Sequence, residues 1–98
     1  MGKYVLVYTG GSTPDSEEER EHLMVAWQDW LNGLGDRVAD WGAPFGASSA
    51  VNGTETEAHL TGYSILNAES LDDAVRAAES CPVFASGGGV EVYETLQM

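Results

Sequence analysis

Residues Lys3 to Thr9 form a β-branched and aromatic run closed by Gly10-Gly11, the pattern of a strand bounded by a turn. Its apolar positions do not alternate with polar ones. Tyr4, Leu6 and Tyr8 point one way and Val5 and Val7 the other, so both faces of this strand are apolar. From about Ser16 to Leu34 the period changes to that of a helix. Leu23, Ala26, Trp27, Trp30, Leu31 and Leu34 recur at spacings of three and four and make one apolar stripe. Ser16 with Glu19 is a capping-box pair, Glu17, Glu18, Glu19 and Glu21 place negative charge at the positive end of the helix dipole, and Gly33 and Gly35 mark the end.

A second strand is predicted from Arg37 to Phe45, followed by a polar, glycine-containing stretch from Gly46 to Glu57 that reads as a long mobile loop or hairpin arm. A third strand, His59 to Ala68, offers Tyr63 and Ile65 on one side and Leu66 on the other. Ser70 and Asp73 then cap a short helix over Leu71 to Ser80, which Pro82 breaks. After Gly87-Gly88-Gly89, a fourth strand runs from Val90 to Leu96. The order is strand, helix, strand, twice over. It predicts an α+β, ferredoxin-like βαββαβ fold with a four-stranded antiparallel sheet and both helices on one face. The first and third strands are central in that topology, and their helix-free side is apolar. A second copy of the sheet is the simplest cover, so a homodimer through the sheet face is expected.

The 98 residues suit a single domain, 1–98, because two halves would each be too small to bury a core. Against 16 acidic residues there are 4 basic ones, Lys3, Arg20, Arg37 and Arg76, scattered singly, for a net charge of -12. Phosphate backbones are bound by clustered cations, so nucleic acid is not an expected partner. Anionic membrane surfaces are repelled by the same field, and no apolar run approaches the length of a membrane span. With no signal-peptide pattern after Met1, a cytoplasmic location is expected. One cysteine, Cys81, and two histidines, His22 and His59, provide no zinc cluster, and no metal or other cofactor is expected. Gly10-Gly11-Ser12-Thr13 precedes a helix without the Lys of a phosphate loop, and the glutamates crowd that helix start, which argues against a nucleotide.

Several short segments, taken in order, resemble the YCII-related proteins of the dimeric α+β barrel superfamily. They are Lys3-Tyr4-Val5-Leu6-Val7-Tyr8, Ala26-Trp27 with Trp30, Gly42-Ala43-Pro44-Phe45, Gly62-Tyr63-Ser64-Ile65, Ser70-Leu71-Asp72, and Cys81-Pro82 before Val90-Glu91-Val92. The resemblance implies two sheets packed face to face in a dimer. It also implies kinship with isomerases, lyases and monooxygenases of small, often aromatic or lactone-type molecules. Some such proteins carry a histidine near the start of the first helix paired with an acidic residue as a catalytic dyad. His22 occupies a comparable place, with Asp40 or alternatively Asp36 as its partner. Trp41 stands where relatives commonly have a small residue and Cys81 where many have histidine, a departure that reshapes any pocket and removes a histidine role at position 81.

Two classes of function follow. In the first, the protein is a cofactor-independent isomerase- or lyase-type proton-transfer enzyme on a small, partly apolar molecule. His22 acts as acid or base, an aspartate orients it, and Tyr8, Trp41 and Tyr63 shape the ligand cavity. In the second it is a non-catalytic dimeric small-molecule-binding or accessory domain, in which those aromatics build only the interface. A variant of the second has the 46–57 loop modulating a partner protein. Trp27 and Trp30 share the spacing of Leu23 and Leu34 and are expected to be core, and Cys81, with no basic neighbour, an inert thiol.

Overall fold

The computed structural model describes residues 2–10, 16–49, 51 and 60–96. In chain order it contains β1 (Gly2–Gly10), α1 (Glu17–Leu34), β2 (Val38–Pro44), β3 (Leu60–Ala68), α2 (Leu71–Ala78) and β4 (Gly88–Glu94). Short 3-10 turns at Gly35–Arg37 and Pro82–Ser86 were not predicted; they tighten the chain after each helix. The strands form one antiparallel sheet in the order β2-β3-β1-β4, with β1 and β3 central. This is the βαββαβ ferredoxin-like arrangement expected from the sequence. His59 and most of the 46–57 stretch fall outside the described residues.

Both helices start as their caps dictate. The Ser16 hydroxyl accepts the Glu19 N–H at 3.1 Å, and the Ser70 hydroxyl accepts the Asp73 N–H at 3.1 Å, each satisfying a donor the helix leaves open. Both helices pack on one side of the sheet. Leu6, Tyr8 and Leu66 meet Trp30 and Leu31 of α1 and Ala77 and Ala78 of α2, with Cys81 and Val83 closing the cluster. Tyr4, Ala68 and Ala74 extend it toward the other end. The alanines of α2 let that helix lie close to the strands. The Trp30 indole N–H reaches across to Ser80 Oγ at 3.1 Å and the Ala77 carbonyl at 3.3 Å, so a tryptophan in the core keeps its polar atom satisfied while tying α1 to α2. Burial pushes the Cys81 thiol up to about 11, which leaves it protonated and unreactive at neutral pH.

On the opposite side of the sheet no helix among the described residues packs against Val5, Val7, Tyr63 or Ile65, all partly exposed. Tyr93, paired with Val5, is half-exposed there, and Phe45 stacks on Tyr63 with ring centroids 5.8 Å apart. Among the described residues no helix is long and apolar enough to cross a membrane.

Candidate functional site

Along α1, residues 20, 23, 24, 27 and 31 fall on one flank at spacings of three and four. Trp27 and Leu31 of this flank also pack against the central strands. The flank stands away from the edge strand β2, and the gap is a cavity of about 540 Å³. Leu23, Met24, Trp27 and Leu31 make its helical wall and Arg20, exposed, stands on that wall toward the helix start. The facing wall is Trp41 to Pro44 of β2 and Thr61 to Ser64 of β3, with Tyr8 from the central strand. A space of this size with apolar walls and a few polar atoms suits a small organic molecule.

The cavity exists because β2 does not pair regularly. Asp40 faces Ile65 and Ala43 faces Tyr63, so two residues, Trp41 and Gly42, stand opposite the single residue Ser64. That is a β-bulge, which bends the strand and re-aims its side chains. Gly42 makes it possible. Its φ is +77°, and a β-carbon there would sit 1.7 Å from the Tyr63 carbonyl oxygen, so no other residue fits. Asp40 Oδ1 accepts the Gly42 N–H at 2.8 Å and braces the turn. Trp41 projects from the bulge, about half exposed, beside the cavity.

At the bulge the Ser64 hydroxyl donates to the Trp41 carbonyl at 2.8 Å. Ser64 in turn accepts the Tyr8 hydroxyl at 2.7 Å. Ser64 is almost fully buried, and this chain of two bonds accounts for both its hydrogen and its oxygen. Burial holds the Tyr8 phenol above the ordinary tyrosine range, so it stays neutral and does not serve as a base. The Trp27 ring meets the Tyr8 ring edge-on with centroids 4.7 Å apart, fixing its plane.

The structure brings Tyr8, Trp41 and Tyr63 together around this cavity. Tyr63 has its ring stacked on Phe45, on the helix-free side of the sheet. His22 is elsewhere. It is exposed on another flank of α1 and borders a second, more open depression of about 590 Å³ with Glu18, Glu19, Ala26, Ala85 and Ser86. Asp40 is engaged with Gly42 in the bulge. Asp36 lies in the 3-10 turn beyond Leu34, and the helix from His22 to Leu34 alone spans about 18 Å. Neither carboxylate meets His22 among the described residues. Among the described residues no group of His, Cys, Asp and Glu side chains is placed to hold a metal.

Sequence reasoning did not find Arg20, Met24, Ser64 or the bulge. Three of these left a signal: Arg20 shares the helical flank of Trp27 at a spacing of seven, Ser64 is a polar residue at an inward position of β3, and Gly42 interrupts a strand beside a large aromatic. Trp27 is only partly the core residue its spacing implies, since it packs against the core and lines the cavity as well.

Comparison with known proteins agrees with this architecture. No curated protein matches the chain. Among solved structures it is similar to the 5-chloro-2-hydroxyhydroquinone dehydrochlorinase of Burkholderia phenoliruptrix in complex with 2,5-dihydroxybenzoquinone. The TM-score is 0.59 at 23% identity, over 97% of this chain and 95% of that one, a likeness of fold. The model of the YCII-related domain matches residues 4–98, and the chain belongs to that family.

Proposed function

We propose that this protein binds a small, planar, partly apolar molecule in the cavity between α1 and the β2–β3 edge. The observation that carries the reading is the cavity itself, with aromatic and aliphatic walls around the Tyr8–Ser64–Trp41 hydrogen-bond chain. A relative of the same fold was solved with a dihydroxybenzoquinone, which is consistent with a ring-shaped ligand. Trp27 and Trp41 report on binding, because both line the space. Addition of 4-methylphenol should change tryptophan fluorescence saturably, and Leu31→Trp, which fills the cavity, should abolish the change while the helical circular dichroism persists. A wild-type protein that shows no saturable change with any phenol contradicts the proposal.

Proton transfer is the second reading, favoured by the acid–base chemistry available to His22. Among the described residues the ionisable ones lining the cavity are Tyr8, Arg20 and Tyr63, the last with its ring stacked on Phe45 on the helix-free side, so one protomer puts His22 on a different flank from the ligand space. Binding without catalysis is therefore the function the geometry supports best. Replacing His22 by Gln should leave the melting temperature nearly unchanged, since the side chain is exposed and outside the core. If a turnover assay on any phenolic or quinonoid substrate shows activity that this variant loses, His22 is the acid or base; activity retained in full removes that role.

The protein is further proposed to act as a homodimer through the helix-free sheet face. Val5, Val7, Tyr63 and Ile65 form a continuous partly exposed apolar surface there, and sheet packing on sheet removes it from water. Light scattering coupled to size exclusion should give about twice the 10.4 kDa chain mass. Val7→Glu should give a folded protein of the chain mass. A wild-type monomer at micromolar concentration contradicts the dimer.

A further inference from the structure

We infer that the cavity presents a hydrogen-bond acceptor to its ligand through Tyr8 Oη, and so selects molecules bearing a hydroxyl or other donor on the ring. The inference rests on the binding reading above and specifies its ligand class. It follows from the direction of the hydrogen-bond chain. The Trp41 carbonyl at its end has no proton to give, so the 2.8 Å bond from Ser64 uses the Ser64 hydrogen. The Ser64 oxygen must then accept, and the 2.7 Å bond from Tyr8 uses the Tyr8 hydrogen. Tyr8 Oη is left with lone pairs alone.

An ordinary buried tyrosine can turn its hydroxyl to suit either kind of partner. Here the bulge removes that freedom. Two residues opposite one bring the Trp41 carbonyl within reach of the Ser64 hydroxyl, and Gly42, which admits no β-carbon, holds it there. Reversing the chain would give up the bond from the Ser64 hydroxyl to the carbonyl at a nearly fully buried serine, so the orientation persists when a ligand enters. The phenol stays neutral, because burial raises its titration away from physiological pH. A phenolic or enolic O–H therefore meets a complementary acceptor beside the strands. A ring with only carbonyl or ether oxygens brings acceptor against acceptor.

The experiment compares 4-methylphenol with 4-fluorotoluene, of nearly the same shape but without the donor, and with 4-methylanisole, whose oxygen can only accept. Affinities are read from the amide and indole N–H resonances of the wild type, Tyr8→Phe and Ser64→Ala. The phenol should bind the wild type roughly tenfold more tightly than either control, the scale of one hydrogen bond. In Tyr8→Phe the preference should shrink to within about twofold. In Ser64→Ala the Tyr8 hydroxyl is released to donate, so 4-methylanisole should gain on 4-fluorotoluene, with the phenol preference reduced. Equal binding of all three ligands by the wild type overturns the inference while leaving the cavity reading intact. A preference kept in full by Tyr8→Phe overturns it too. Failure of all three ligands to bind overturns the cavity reading on which it rests.

Discussion

Glutamate at Leu6 is expected to unfold the protein. Leu6 is completely buried at the centre of β1, in the cluster with Trp30, Leu31 and Leu66, and no cationic side chain belongs to that cluster. A carboxylate there must remain charged without a partner or take up a proton and still lack a hydrogen bond, and either state is costly in an apolar surround. A loss above about 4 kcal/mol is expected from burying an unpaired charge and disrupting packing together. Total stability for a domain of this size is about 5–15 kcal/mol, so little or none remains. Circular dichroism and a urea melt should show a chain largely unfolded in buffer. The neighbouring substitution Val7→Glu is the internal control, since it places the same charge on the helix-free side and should leave the melt cooperative. Similar damage from both would mean that the two faces of β1 are not distinguished as the burial pattern has them.

The second large effect is expected at Gly42. Alanine there meets both a backbone conformation that L-residues rarely adopt, φ +77°, and a β-carbon 1.7 Å from the Tyr63 carbonyl oxygen. Neither obstacle is a flexible side chain that can move aside. The edge strand must shift instead, at a cost of about 2–4 kcal/mol from backbone strain and overpacking combined. Because among the described residues β2 pairs only with β3, the shift is confined to one side of the sheet and the fold should survive. The cavity should not. Displacing Trp41 breaks its carbonyl from Ser64, frees the Tyr8 hydroxyl and moves one wall, so 4-methylphenol binding should fall by more than tenfold while a cooperative melt remains. Wild-type affinity in Gly42→Ala would show that the bulge does not build the site.

The contrast between these two positions reflects what a sequence can carry. Leu6 announces itself, because strand periodicity assigns it a face and its neighbours Tyr4 and Tyr8 the same one. The helix caps at Ser16 and Ser70 are likewise local chemistry, and the predicted starts of both helices agree with the structure to within a residue. The order of elements then restricts the sheet to few topologies. The cavity is a different kind of feature. It arises where β2 and β3 fall out of register, and register depends on two segments that are distant in sequence. Ser64 looks like a polar interruption of an apolar strand until the Trp41 carbonyl is seen to need it. His22 shows the converse. Its residue type and place on the helix suggest chemistry, yet the rotation of α1 about its axis, set by Trp30 and Leu31 docking on the sheet, turns it to a different flank from the cavity.

The two depressions flanking α1 therefore make opposite statements about where a ligand sits, and one titration separates them. In the ¹H–¹⁵N correlation spectrum of the labelled protein, increasing 4-methylphenol should shift the amide resonances of Gly42, Gly62 and Ser64 and the indole resonance of Trp41, all at the cavity. The resonances of His22, Ala85 and Ser86, which border the other depression, should stay in place. Saturable shifts confined to His22, Ala85 and Ser86, with the cavity resonances unmoved, would contradict the account and return the site to the histidine.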